Sequence, residues 1–267
     1  MKIHERAIVH PSAQIGEGTV VGPDAIIDEH VRVGQDCEIR ARAILTGHTT
    51  IGDSNQIGYN AIIGAEPQDL SFEGGVSFVE IGNENVIREN TTIHRGTKPE
   101  TSTVIGNKNY LMAGVHVAHN CHIGNEVTLV NNVLLAGYVE IRDFAFLSGD
   151  VVVHQFVRIG EYVMVRGQTR VGMDVPPYAM AAFTNAVVGL NRVGLKRKGF
   201  GPDRRKTILN AFRRYYQEGK NRSQALEAIR SDESLQTEDV ELFIEFLEKT
   251  KRGVCHYYEN EAPPAEG

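Results

Sequence analysis

Tryptophan is absent from the 267 residues, and no window approaches the roughly 18 consecutive apolar residues that a membrane-spanning helix requires. The opening MKIHERAIVHP has no apolar core of signal-peptide length, so the expectation is a cytoplasmic protein with no integral membrane segment. Cysteine is scarce: Cys37, Cys121 and Cys255 are odd in number and make no CxxC pair, which argues against a disulfide framework and a thiolate metal site. Positive charge is in deficit, with 28 Lys and Arg against 34 Asp and Glu. The net −6 argues against a general nucleic-acid binder but leaves local patches open. The composition, 41% hydrophobic and 23% charged, has no bias toward disorder, and the chain is long enough for one sizeable core and an appendage.

A strict period runs through most of the chain. From Val9, steps of six reach Ile15, Val21, Ile27, Val33, Ile39, Leu45, Ile51, Ile57 and Ile63 without exception, and over the run to Val171, 25 of the 28 positions are Ile, Leu or Val. The next residue is often glycine (Gly16, Gly22, Gly34, Gly52, Gly58, Gly64, Gly82, Gly106, Gly124, Gly160, Gly172), as a tight bend with positive φ would require. The position four after the aliphatic one is mostly small or β-branched, from Ala13 and Thr19 to Thr49. A period of six suits neither an amphipathic helix nor a two-sided strand. It suits a three-sided solenoid in which each short side contributes one inward aliphatic residue and each coil takes about 18 residues.

The three missed steps cluster. Asp69 and Gly75 fall in EPQDLSFEGGVSF and Pro99 in GTKPETST, so loops are expected near residues 65–80 and 95–104, carrying function on a rigid scaffold. After VPPY the repeat stops and the composition changes: ten of the nineteen aromatic residues lie from Tyr178 onward. Residues 1–178 therefore read as the solenoid and 179–267 as a helical domain. Helices are expected over 203–217 and 223–230, a third is capped by Thr237, and EAPPAEG reads as a frayed tail.

The repeat array, the strings TIHRGT (Thr92 to Thr97), HVAHNC (His116 to Cys121), VHQF (Val153 to Phe156), DVPPY (Asp174 to Tyr178) and GLKRKGF (Gly194 to Phe200), and the helical tail together resemble the UDP-N-acetylglucosamine O-acyltransferase family, which performs the first acylation of lipid A biosynthesis. The likeness covers nearly the whole chain. It implies an all-β left-handed parallel β-helix with a C-terminal α-helical domain. The handedness comes from the resemblance alone, since general chirality rules favour the opposite hand. It also implies a homotrimer with sites in the clefts between subunits, and transfer of a β-hydroxyacyl group from acyl carrier protein to the 3-position of a UDP-sugar, with no cofactor and no metal.

Acyl transfer to a hydroxyl needs a base, and an imidazole, with its ordinary pKa near 6.5, is suited to the task. The second histidine of HVAHNC, His119, matches the family's general base. Gly137 lies eighteen residues on, one coil along, and its backbone N–H matches the family's oxyanion donor. His154 is thirty-five residues from His119, which places it on the same corner, and it matches with Gln155 a pair that holds substrate. Asp69 matches a sugar-binding residue, with Gln68 beside it, and His94 and His116 match positions lining the cleft. The resemblance places Gly167 at the far end of the acyl groove, and Asn191 and Arg197 at the nucleotide. Between Arg192 and Arg222 lie eleven cations and only two anions, Asp203 and Glu218, a concentration that fits an anionic partner such as acyl carrier protein or a sugar diphosphate.

Several positions depart from the family pattern. Asn120 stands where aspartate is usual, Tyr138 where a histidine near the sugar is expected, and Ser71, Val193 and Lys198 replace a lysine, a glutamate and an arginine. The departures bear on the acceptor, a 3-hydroxyl or a 3-amino sugar, more than on the reaction type. Three competing readings remain open. A sister N-acyltransferase carries an extra N-terminal domain for which a repeat beginning by Val9 leaves no room. A zinc carbonic anhydrase of this fold would gather three histidines, for which His94, His116 and His119 are available. A non-catalytic paralogue would use the cleft for binding alone.

Overall fold

A computed structural model describes residues 1–258; the expected frayed tail lies outside the described residues. Short parallel strands stack into three flat faces of 12, 9 and 8 strands, here called the long, middle and short faces. The architecture is a left-handed parallel β-helix with a C-terminal helical domain. Successive coils advance by eighteen residues, as Tyr110 pairs with Thr128 and Thr128 with Phe146. The inward residues of each face form aliphatic columns: Val21, Ile39, Ile57, Ile87, Leu111, Leu129, Leu147 and Val165 are paired in register along the long face, and all are buried. Replacing one such isoleucine by alanine costs about 2–5 kcal/mol.

The two loops belong to a single edge, where the middle face turns into the short face. Gln56 pairs with Val86, thirty residues on, and Val86 with Tyr110, twenty-four on, so the insertions amount to twelve and six residues. Both are whole multiples of the repeat step, which is why the phase of six survives across them. The loops brace each other. The His94 Nδ1–H donates to the Glu66 carbonyl, Arg95 pairs with Glu66 at 3.1 Å and lies over the Phe72 ring, and the Glu100 N–H donates to Val76 O at 2.9 Å.

The repeat glycines do a different job from the one read in the sequence. Of the eleven, only Gly64 has positive φ. Apart from Gly172, the others sit where an added Cβ would strike the next coil: at Gly16 it would lie 2.4 Å from the Gly34 carbonyl carbon, and at Gly34, 2.6 Å from that of Gly52. They are glycine because the coils approach closely. The left-handed backbone falls three residues after the aliphatic position, at side chains such as Asp36, Ser54, Asn60, Asn90 and Asn120. Asn, Asp and their like tolerate this conformation best.

Inside the prism the small positions continue into a buried polar ladder. Asn55, Asn85 and Asn109 stack along one corner, each side-chain oxygen accepting the N–H of the residue one coil on, at 2.9, 2.9 and 2.8 Å. Each amide nitrogen in turn donates to a carbonyl at the corner. The side-chain oxygen and nitrogen of each of the three asparagines are thereby matched.

The long face continues beyond Tyr178, where the repeat pattern ends. Ala179–Ala182 pairs with it, Ala186–Leu190 folds back antiparallel, and His256–Tyr257 joins at the end. Between these strands lie four helices: α1 (Arg192–Arg197), α2 (Pro202–Tyr216), α3 (Arg222–Arg230) and α4 (Glu238–Glu248). Pro202 opens α2, Asn221 forms a capping box with Gln224, and the Thr237 hydroxyl accepts the Val240 N–H, each placed as helix N-termini favour. The helices are fastened to the coil by α4: Arg158 lies 4.4 Å over the Phe246 ring, and buried Asp239 accepts from the Tyr178 hydroxyl at 3.2 Å and from Arg204 at 2.5 and 2.7 Å.

Candidate active site

The middle–short edge, read along the prism, carries the first loop, the second loop, His119, then Gly137 and Tyr138, then Gln155 and Phe156. Parallel stacking alone puts them in file, because each coil contributes the residue at the same place in its turn. His119 is 7% exposed. Its Nδ1 lies 3.0 Å from Asn120 Oδ1 and its Nε2 3.3 Å from Asp69 Oδ2. Gly137 packs against the ring: a Cβ there would come within 2.4 Å of Cε1 and 2.6 Å of Nε2. Any larger residue would push the imidazole aside. Among the described residues the Gly137 N–H has no hydrogen-bond acceptor.

Gln68, Asp69, His116, His119, Gly137 and Gln155 line one cleft. Its apolar part, which the sequence reading passed over, consists of Leu70, Leu134 and Val152, all three strongly exposed. A signal for it exists. The outward residue of the middle face is Ile8, Ile26, Ile44, Ile62, Thr92, His116, Leu134 and Val152 in successive coils, with Arg170 at its end. On the short face the outward residues include Gln14, Arg32, Glu80, His122, Glu140 and Arg158. Sorting the repeat by eighteen rather than six separates the greasy face from the charged one.

The electrostatics of the cleft follow from burial. His116, whose Nδ1 lies 2.8 Å from the Thr92 hydroxyl, is pushed down to about 4 by burial, with His94 and His119 acting in the same direction. Burial also lowers His94, partly opposed by its bond to the Glu66 carbonyl; its ring stands edge-on to His116 at 5.2 Å. Both are neutral imidazoles at neutral pH. Asp69 is held below the usual carboxylate range because the Ser71 N–H and hydroxyl both donate to its Oδ1 at 2.8 Å, and His119 adds to the effect. The serine that stands in place of lysine thus turns Oδ2 toward His119. Among the described residues no three His, Cys, Asp or Glu side chains are placed to hold a metal ion.

The remaining expected residues lie elsewhere. His154 is on the same edge but exposed, its Nδ1 near Gln155 O at 3.2 Å. Tyr138 meets the His119 ring edge-on at 5.3 Å and stacks on Phe156 at 5.0 Å, yet lines the neighbouring groove with His122 and Glu140. Gly167 is an exposed corner between the long and middle faces, across the apolar face from His119, with only Gly149 O at 3.3 Å near an added Cβ. Asn191 is the N-cap of α1: its oxygen accepts the Gly194 N–H at 3.0 Å and its nitrogen donates to Tyr162 O at 2.8 Å. Arg197, in the last turn of α1, is exposed. The basic stretch is less bare than its sequence suggests, for Lys198 pairs with Glu126, Arg204 with Asp239, Arg214 with Asp232 and Lys220 with Glu218. Among the described residues Arg192, Lys196, Arg197, Lys206 and Arg213 have no acidic partner.

Residues 102–137 match the bacterial transferase hexapeptide model, and residues 174–255 match the second domain of UDP-N-acetylglucosamine O-acyltransferase. The structure of the Bacteroides fragilis UDP-N-acetylglucosamine acyltransferase is 41% identical, with a TM-score of 0.89, over 94% of this chain and 98% of that one. The Francisella novicida enzyme is 37% identical, with a TM-score of 0.90, over 97% and 95%. The Arabidopsis enzyme is 34% identical, with a TM-score of 0.86, over 95% and 99%. With identities of 34 to 41% and matching folds over nearly the whole of each chain, the chain belongs to the family of UDP-N-acetylglucosamine O-acyltransferases.

Proposed function

We propose that the protein transfers a β-hydroxyacyl group from acyl carrier protein to the 3-position of UDP-N-acetylglucosamine in lipid A biosynthesis. The observation that carries the mechanism is Gly137 packed against a buried His119 whose Nε2 faces the cleft. Nε2 takes the proton of the sugar hydroxyl as its oxygen attacks the thioester carbon. The Gly137 N–H donates to the oxyanion that forms, an interaction of a kind worth a few kcal/mol. Collapse breaks the C–S bond, and the thiolate leaves with the proton returned from Nε2.

Asp69 and Gln68, with neutral His116, orient the sugar; neutral rings suit a site that must not compete for the base's proton. His94 supports them by holding the first loop through Glu66 O. His154 and Gln155 meet substrate farther along the edge. Leu134 and Val152 give the hydrocarbon a floor that runs toward Gly167, where the absence of a side chain leaves room for a longer donor. Arg197 faces the nucleotide from an α1 that Asn191 caps, and the unpaired cations steer the acidic carrier. No cofactor is required. The aliphatic outer stripe of the middle face, too large to remain wet, is covered by neighbouring copies in a cyclic homotrimer, and the protein works in the cytoplasm.

The test is to incubate purified protein with β-hydroxyacyl carrier protein and UDP-N-acetylglucosamine. Acylated sugar nucleotide is the expected product. Absence of product with every acyl donor and with both 3-hydroxyl and 3-amino acceptors, while both substrates still bind, would leave the binding-scaffold reading.

A further inference from the structure

Arg95, the arginine of TIHRGT, stays outside the chemistry: it does not line the cleft, and its side chain is 15% exposed. It follows a strand, Thr92–His94, that pairs with Ile62–Ala65, and the register slips by one residue between Ile63 and Ala65. At that slip the Arg95 N–H donates to Ala65 O at 3.0 Å. The guanidinium then reaches over the first loop. Nη1 donates to Gly64 O at 3.4 Å, Nη2 donates to Glu66 Oε1 at 3.1 Å, and the group lies 5.4 Å from the centroid of the Phe72 ring. Gly47, with φ 60, leaves room for it, because a Cβ there would come within 3.3 Å of Nη1. Glu66 and Phe72 stand on either side of the loop tip, with five residues between them, Gln68 and Asp69 included. Within the tip, the Phe72 N–H donates to Asp69 O at 3.0 Å, and the two Ser71 contacts hold Asp69 Oδ1. Beyond Phe72 the chain has less to rest on. Glu73, Gly74, Gly75 and Val76 are exposed, both glycines have positive φ, and a Cβ on Gly74 would meet nothing within 4 Å. A tip that leaves through so loose a segment needs a hold on its far side, and the contact of Phe72 with Arg95 supplies it.

We propose that Arg95 is a positioning residue for the sugar acceptor: its guanidinium clamps the first loop on both sides of the tip and thereby sets where Gln68 and Asp69 meet the sugar. The proposal rests on the acyl-transfer reading. A planar fork suits the task, since one group has to donate to Gly64 O and Glu66 while it lays a face on Phe72; an ammonium has no plane to stack. The ion pair with Glu66 contributes little by itself, because that carboxylate is 71% exposed and screened by water. The contact with Phe72 is therefore the half of the clamp that decides where the tip stands.

The test is a double-mutant cycle on the full chain with Arg95→Gln, Phe72→Leu and the two together. Each single variant is expected to raise KM for UDP-N-acetylglucosamine by about 10-fold, inside the roughly 10² that misplacing a held group can cost. KM for the acyl carrier donor should stay as in wild type, and the thermal midpoint within about 3 degrees of it. The double variant should be no worse than the poorer single one, because both substitutions remove the same contact. Glu66→Gln should change KM by less than about 2-fold. Hydrogen exchange at the Ser71 and Phe72 N–H groups, both bonded to Asp69, is expected to quicken in Arg95→Gln and in Phe72→Leu. Effects on KM that add in the double variant, a lowered thermal midpoint with KM unchanged, or exchange as slow as in wild type overturn the proposal. Should Arg95→Gln fail to fold, Phe72→Leu decides by KM and exchange, since its ring lies on the loop and outside the core. A wild type inactive with all donors overturns the acyl-transfer reading, and the exchange still decides the clamp.

Discussion

Two edges of the prism are built by the same device and end in opposite conditions. On the short–long edge, Phe144, Tyr162 and Tyr178 stack one coil apart, at 4.6 and 5.9 Å between ring centroids. On the middle–short edge, Tyr138 and Phe156 stack at 5.0 Å. All five aromatic residues have φ between 57 and 67, a conformation in which bulky side chains are uncommon, so neighbouring rings in each stack offset a local backbone cost. The first stack is roofed: Phe200 packs on Tyr162 and Tyr178, Arg204 lies 3.6 Å over Phe200, and Asp239 closes the cluster. Burial accordingly pushes the Tyr178 phenol far up, with Asp239 adding to the shift. The second stack is open, and Phe156 is 49% exposed. A stack of rings is therefore neutral with respect to function. Whether the helical domain covers it decides between structure and site.

The comparison breaks most sharply at His119. On the open edge, His119→Ala should lower kcat by about 10²-fold or more while the thermal midpoint stays within a degree or two of wild type. Steady-state kinetics beside calorimetry check this, and an equally active variant would move the site elsewhere. The covered edge should respond the other way. Asp239→Asn weakens the contacts to Arg204 and Tyr178 and should cost about 1–3 kcal/mol of stability in urea titration, with kcat of the folded protein unchanged.

Acid separates the two edges further. Burial holds His116 at about 4, below the roughly 6.5 of an unfolded chain. Between those values the unfolded chain binds a proton that the folded protein refuses. Stability is therefore undiminished above about pH 6.5 and falls as the pH drops toward 4. His116→Asn should flatten that slope in a series of melts, and an unaltered slope would place the acid sensitivity elsewhere. The smallest effect is expected at the third edge, where Gly167→Met fills a corner without touching His119. It should leave stability within about 0.5 kcal/mol and shift donor preference toward shorter chains in competition assays, by about 0.8 kcal/mol for each methylene excluded.

The period of six was legible because every inward position of a flat stacked coil has to be aliphatic, and no other fold asks for that spacing. The loops were legible as failures of the same rule, and their common edge with HVAHNC followed once eighteen residues made a coil. Handedness was not, since an inward residue every sixth position serves either hand. The glycines were misread because sequence does not distinguish a residue that needs positive φ from one that needs no Cβ; the close approach of the coils at Gly16 and Gly34 exists only in three dimensions. The contacts of Asn120 were not legible because one of them, the Thr97 N–H, is supplied by a segment twenty-three residues away. Tyr138 was placed on the right edge, but which groove its ring enters is set by the corner geometry. Asn191 is a helix cap whose signal, an Asn three residues before the glycine it caps, was present and went unused.

The ladder of buried amides has a consequence for how the chain tolerates change. Each of Asn55, Asn85 and Asn109 passes one hydrogen bond to the coil above, so the prism is coupled only between neighbours, like a stack whose layers know nothing beyond the next. Excising one whole turn of eighteen residues from the amino-terminal end would shorten the prism by a strand spacing of about 4.8 Å and leave each remaining side chain on its own side. Removing a single residue from the same turn would send aliphatic side chains into water and polar ones into the core from that point until a corner absorbed the slip. Length in this molecule is thus a quantity that changes in whole turns, and the distance from the amino terminus to His119 can change by a turn while the cleft keeps its shape.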